Sequence, residues 1–235
     1  AGAAVELLGS LKTKLDDRIE SFELVSRRVF GLVETHIPNA SLPFEEEYPW
    51  YVLIEAATGR DPQLLENALL QEAEDGRLLD AVIAKNEAEA AELWRLRHSI
   101  AEAERQEGKA LKHDISVPLS RMQEFLERGD ELLEKGWPDA RLVAFGHVGD
   151  GNLHYNVVLP RSLSAEEWTV EGERVTAALY DLVQSFNGSF SAEHGVGQSK
   201  KAYLAAYRAG PELDLMRSLK KMLDPANILN PGKVI

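Results

Sequence analysis

The chain has 235 residues, of which 44% are hydrophobic and 28% charged, the balance of a globular protein with room for one large domain or two small ones. With 26 basic against 39 acidic residues the formal charge is −13, which repels nucleic acid and anionic membrane surfaces and argues against both as partners. There is no cysteine, so disulfides, iron–sulfur clusters and thiolate chemistry are excluded within the chain, and any metal must be held by His, Asp or Glu.

No apolar run is long enough to span a bilayer. The opening AGAAVELLGSLKTKLDD lacks a basic leader and soon becomes charged, so it reads as a helix and not as a signal peptide. A cytoplasmic enzyme of bacterial type is the expectation, and an opening at Ala1 without Met points to a fragment.

In chain order, residues 3–17 and 22–35 are expected to form amphipathic helices, the second carrying Phe22, Val25, Val29, Leu32 and Val33. Pro38, Pro43 and Pro49 bracket a loop before WYVLIEA (50–56), a run of strand formers. Asp61-Pro62 starts a helix that runs to about Glu74, DAVIA (80–84) is a strand, and Asn86 caps a long helix through Gln106 that Gly108 ends. HDISVPL (113–119) is a strand, and Ser120 caps a helix that stops at Gly136. RLVAFGHV (141–148) and NLHYNVVL (152–159) are strands around a tight turn. Ser164 and Glu167 form a capping box for a helix to about Phe186. SFSAEHGVGQSK reads as strand, glycine loop and short helix; Pro211 opens the last helix, and PANILNPGKVI is a non-helical tail. Strands and helices interleave with one clear hairpin, which predicts an α+β domain with an antiparallel or mixed sheet covered by helices.

The segment GHVGDGNLHYN (146–156) carries the most chemistry. With Asp150-Gly151 as the two turn residues, His147 stands opposite His154, and directly opposed Cβ atoms lie about 4.5–5.5 Å apart. Two imidazoles side by side could chelate one cation, and alternation puts Asn156 on the same face while Val148 and Leu153 face a core. Glu193, just before His194, Gly195 and Gly197, could complete a His/His/Glu set with a position left open. The alternative for Glu193 is a helix N-terminal residue beside a turn. An all-N/O set suits Zn²⁺, Mn²⁺ or Fe²⁺.

HVGDGNLHYNV, SAEHGVGQSK and DPANILNPGK, in that order, resemble the C-terminal domain of FAD-linked oxidases of the vanillyl-alcohol oxidase type, and within it D-lactate, glycolate and D-2-hydroxyglutarate dehydrogenases. The resemblance covers residues 1–235 and implies a ferredoxin-like cap domain that closes over a flavin. It implies His147, His154 and Glu193 as ligands of a divalent metal, Zn or Mn, and His194 as general base. Arg97 and Lys112 match substrate-carboxylate anchors, and Asn156 matches a substrate contact. Read physically, Arg97 is a mid-helix guanidinium suited to a carboxylate clamp, or else a surface partner of Glu92 or Glu104; Lys112 is an anchor or a solvated lysine. Ala101 stands where a hydroxyl residue is expected in members acting on D-2-hydroxyglutarate.

The implied reaction oxidises a D-2-hydroxy acid to a 2-keto acid. The implied partners are the small 2-hydroxy acid, an N-terminal FAD domain, an electron acceptor of unassigned identity and, as an open option, a second copy of the chain. The sequence holds no glycine-rich pyrophosphate loop of its own, so the chain by itself is expected to bind no flavin tightly and to be inactive. Two other readings are a metal-dependent hydrolase using the same residues and a non-catalytic carboxylate-binding module. His98 and His113 receive no chemistry, and His36 reads as a surface loop residue.

Overall fold

Six strands form one sheet in the order β2-β1-β5-β6-β3, with β4 pairing β6 beside β3, in a computed structural model that describes residues 1–59, 61 and 63–235. The strands are β1 (Ile19–Ser26), β2 (Trp50–Ala56), β3 (Ala110–Leu111), β4 (Asp114–Ser116), β5 (Arg141–His147) and β6 (Asn152–Val158). Every ladder is antiparallel, so the mixed alternative does not apply. The helices are α1 (Gly2–Lys14), α2 (Arg27–His36), α3 (Leu64–Glu74), α4 (Glu87–His98), α5 (Ile100–Glu107), α6 (Met122–Gly136), α7 (Ala165–Ser185), α8 (Lys201–Tyr207) and α9 (Pro211–Leu223).

Residues 114–189 follow the order β4-α6-β5-β6-α7, and then a single bridge returns Ser189 to Ser116 beside β4. That is the ferredoxin-like split βαβ arrangement, with its last strand reduced to one bridge. Among the described residues no helix is long and apolar enough to cross a membrane.

Alternation along the strands sorts the sheet into two faces. Phe22, Leu24, Leu142, Ala144, Leu153, Tyr155 and Val157 face a core built with α1, α6 and α7. Val25, Val143, Phe145 and Val158 face a smaller core with Val29, Phe30 and Val33 of α2 and Ile100 and Ala103 of α5. The functional residues lie on this second face.

Several elements differ from expectation. Residues 22–35 are not one helix: β1 takes Ile19–Ser26 and only Arg27–His36 is helical. The four-residue spacing of Val25, Val29 and Val33 mimics a helix, but IESFELVS is buried on both faces between β2 and β5, where a strand satisfies its backbone. DAVIA pairs with no strand and runs as an irregular stretch. The long helix breaks at Ser99 into α4 and α5, and Ser120 lies in a 3₁₀ turn (Leu119–Arg121) without capping α6. HDISVPL is a strand only over Asp114–Ser116. His36 closes α2 and bonds Glu107 at 2.7 Å instead of lying in a loop. Pro62 of the Asp61-Pro62 start lies outside the described residues; α3 begins at Leu64, and Asp61 Oδ1 accepts from the Gln63 N–H. The Asn86 cap, the Ser164–Glu167 capping box and Pro211 at the start of α9 form as expected.

Candidate functional site

The hairpin between β5 and β6 sets the site. Its register pairs Phe145 with His154 and Arg141 with Val158, so His147 and His154 are not directly opposed. The expected register is off by two. The turn is four residues long, because Val148–Asp150 curl into a 3₁₀ turn that buries Val148, and Gly151 follows at φ 76°. A shift of two preserves the face. The imidazoles are therefore diagonal neighbours on one side of the sheet, with ring centroids 5.7 Å apart and an edge-to-face angle of 79°.

Glu193 reaches both rings. Its Oε1 lies 3.6 Å from His147 Nε2 and its Oε2 3.8 Å from His154 Nε2. These separations are long for hydrogen bonds, but close to the roughly 3.4 Å between two ligand atoms that share a tetrahedral cation at about 2.1 Å. Two imidazoles and a carboxylate are donor types that a divalent cation can take.

Both imidazoles are suited to that task. Burial, reinforced by the charge of His147, holds His154 down to about 4, so its ring is neutral at physiological pH. His147 donates through Nδ1 to Glu23 Oε1 at 2.6 Å, which raises its pKa and leaves Nε2 turned toward Glu193. Glu23, opposite His147 on β1, is buried. Burial alone would push its carboxyl up; the hydrogen bond from His147 and the charge of Arg97 outweigh it and hold the carboxyl low. Its other oxygen accepts from Nε of Arg97 at 2.9 Å and lies 2.9 Å from Nη2 in an ion pair. The Arg97 guanidinium lies 4.7 Å over the Phe145 ring and pairs with neither Glu92 nor Glu104, which are taken by Arg95 and Lys112.

The SAEHG loop is held by a residue that sequence reasoning missed. Asp114, buried on β4 opposite His154, accepts the backbone N–H groups of Ala192, Glu193 and His194 on Oδ2 at 2.8–3.1 Å, and Asn152 Nδ2 on Oδ1 at 2.8 Å. Burial raises the Asp114 carboxyl, but those hydrogen bonds outweigh it and hold it below its ordinary value. Among the described residues, the group whose ligand atoms all lie within 4.8 Å of one another is Asp114, His154, Glu193 and His194, with His147 outside it. Asp114 is nevertheless the poorer ligand, because four N–H groups already occupy its lone pairs, whereas His147 Nε2 is unspent.

His194 stacks on His154 at 5.7 Å, with Nδ1 3.9 Å from Asp114, and is more than half exposed. The tail reaches this loop: the Val234 N–H donates to Gly197 O at 2.8 Å. Asn156 is buried on the same face as His154, and its Oδ1 accepts the His113 N–H at 3.1 Å. Lys112 is exposed, and its ammonium lies 3.3 Å from the buried Glu104. The structure thus gathers Asp114, His154, Glu193 and His194 into one cluster, with His147 at its edge, 3.6 Å from Glu193, and Arg97 tied to His147 through Glu23. Lys112 stands apart, engaged by α5. Glu23 was hidden by the helix reading of its segment. Asp114 left a signal, an acid inside a short apolar strand, a type depleted in strands unless it is paired.

The model of the family "FAD linked oxidases, C-terminal domain" matches residues 2–234. A D-2-hydroxyglutarate dehydrogenase of Xanthomonas citri pv. viticola is 42% identical over 92% of this chain and 46% of its own length. One of Stutzerimonas stutzeri is 34% identical over 97% of this chain and 49% of its own, and the mitochondrial enzyme of Bos taurus 35% identical over 98% and 42%. The chain spans about half the length of these curated relatives. In fold it is similar to p-cresol methylhydroxylase, solved with substrate bound, at a TM-score of 0.54 and 15% identity over 99% of this chain and 50% of that one. The antiparallel sheet, the motif-bearing loops and the full-length match agree: the chain belongs to the FAD linked oxidases, as their C-terminal domain.

Proposed function

We propose that this chain is the substrate domain of a flavin-dependent dehydrogenase that oxidises a D-2-hydroxy acid to a 2-keto acid, with D-2-hydroxyglutarate first among the candidates. The observation that carries the reading is that the Glu193 carboxylate lies 3.6 Å from His147 and 3.8 Å from His154, with Arg97 joined to His147 through Glu23. The names of the relatives supply the acid, and family membership argues against a hydrolase. The flavin is held by a part of the protein outside this chain, and the enzyme works in the cytoplasm of a bacterial-type cell.

A flavin would supply the acceptor for the C2 hydrogen and its electron pair, and His147, His154 and Glu193 would hold a divalent cation that would lower the pKa of the 2-hydroxyl. The protein's own residues do the rest. Arg97 donates its Nε–H to Glu23 and keeps its other N–H groups for the C1 carboxylate. Asn156 has its oxygen occupied and can donate through Nδ2 to the substrate. His194 takes the hydroxyl proton as general base, C2 loses its hydrogen, and the C2–O bond becomes the carbonyl of the keto acid. Ala101 offers no hydroxyl to a second, distal carboxylate, which keeps smaller 2-hydroxy acids such as lactate and glycolate among the candidates.

The test is metal analysis and dye reduction by the full-length flavoprotein with D-2-hydroxyglutarate, D-lactate and glycolate. Stoichiometric divalent metal and D-2-hydroxy-acid-dependent reduction are expected. A metal-free protein, or one reduced by none of these acids, would overturn the proposal.

A further inference from the structure

We infer that Glu23 is a shared positioning residue: one buried carboxylate sets both the imidazole that faces the cation and the guanidinium that faces the substrate. The inference rests on the reading above and adds a residue that the motifs do not contain. Glu23 lies in an inner strand of the sheet at 4% exposure, where a lone carboxylate is costly and an apolar side chain would pack. Its two oxygens divide the work. Oε1 binds Nδ1 of His147, which fixes the ring plane and the tautomer and turns Nε2 to Glu193. Oε2 accepts from Nε of Arg97 and ion-pairs its Nη2, which fixes the guanidinium over Phe145.

The arrangement has a physical logic. A ligating imidazole needs an acceptor on its other nitrogen, or the ring rotates and the wrong nitrogen carries the proton. An arginine that awaits a carboxylate needs a partner that holds it without using all its N–H groups. Glu23 answers both, and its charge offsets that of Arg97 beside a cation site. Cation grip and carboxylate grip are therefore fixed by the same side chain and must weaken together when it is lost.

The experiment uses the full-length flavoprotein with wild type, Glu23→Ala and Glu23→Asp. Metal-stripped protein is titrated with Mn²⁺ in the absence of substrate, and KM and kcat for D-2-hydroxyglutarate are then measured at saturating Mn²⁺. A melting scan reports folding. Glu23→Ala is expected to weaken Mn²⁺ binding about 10–100-fold. It should also raise KM at saturating Mn²⁺ by about tenfold or more, the cost of a loosened charge-assisted carboxylate clamp. Glu23→Asp should recover part of both. If Glu23→Ala does not fold, Glu23→Asp decides, with smaller losses expected in both quantities. Unchanged Mn²⁺ affinity, or weaker Mn²⁺ binding with an unchanged KM, overturns the shared role while leaving the function reading intact. A wild type that takes up no Mn²⁺ overturns the function reading and this inference with it.

Discussion

Replacing Asp114 with Asn should unseat the loop that carries both Glu193 and His194. The carboxylate accepts three consecutive backbone N–H groups on one oxygen and Asn152 on the other. An Asn keeps one acceptor and turns an NH₂ group toward donors. Hydrogen bonds to a charged group contribute about 1.5–3 kcal/mol each. If the amide turns its NH₂ toward the loop, the three lost bonds would cost at most about 4.5–9 kcal/mol in a sealed loop. Glu193 and His194 are exposed, however, so water replaces part of the loss, and about 2–4 kcal/mol is the working figure. For a domain of this size that is a fall of about 5–15 °C in melting temperature. A carboxyl whose folded pKa lies below its unfolded value stabilises above the unfolded value and loses that contribution as pH falls through the folded one. The penalty should therefore be complete at neutral pH and shrink as pH drops below the ordinary value of 3.8. Melting scans of the wild-type and Asp114→Asn full-length proteins at neutral and acid pH, with a Mn²⁺ titration at neutral pH, measure both effects. An unchanged melting temperature together with unchanged Mn²⁺ affinity would refute the reasoning, and would leave Lys200, which binds Phe190 O and Ser191 Oγ, as the anchor of the loop.

Glu193→Ala should lose both bound metal and turnover, whereas His194→Ala should keep metal and lose about 10²–10⁴ in rate; elemental analysis beside steady-state kinetics separates the two. His154, held down to about 4 against an unfolded value of 6.5, should cost the metal-stripped protein stability as pH falls from 6.5 toward 4, and His154→Gln should flatten that part of a denaturant-derived pH profile. His147 acts with the opposite sign: its raised pKa contributes stability below 6.5 that is lost as pH rises through the folded value, so His147→Gln should remove a loss on the alkaline side. Gly146→Ala should lower stability by about 3 kcal/mol or more in a urea titration, because a Cβ there would meet the backbone of Asn152 and Leu153 on the partner strand.

The sequence was most readable where local chemistry decides. The Asn86 cap, the Ser164–Glu167 box and β2 follow from side chains acting on their own backbone or from unbroken strand formers. Face assignment in the hairpin was readable too, because period-two alternation survives an even register shift. The register itself was not: burying Val148 lengthens the turn, and that preference belongs to the core beneath it. Glu23 and Asp114 escaped for a related reason. Each is defined by partners far along the chain, Glu23 by His147 at a separation of 124 residues and Asp114 by His194 at 80. The two glycine- and histidine-bearing motifs hold the candidate ligands and base, but Glu23 and Asp114, which hold them in place, lie in segments without a motif.

The four-residue turn has a bearing on how such a centre tolerates change in length. His147 ends β5 and His154 sits inside β6, so the distance between them is set by an even number of residues folded away from the sheet. Adding or removing two residues between them would slide the rings along the same face. Adding or removing one would send one imidazole through the sheet into the apolar side among Leu153 and Tyr155. Chain-length variation in this loop should therefore come in pairs, and a library of single-residue insertions at 148–151 would read out that parity as presence or absence of bound metal.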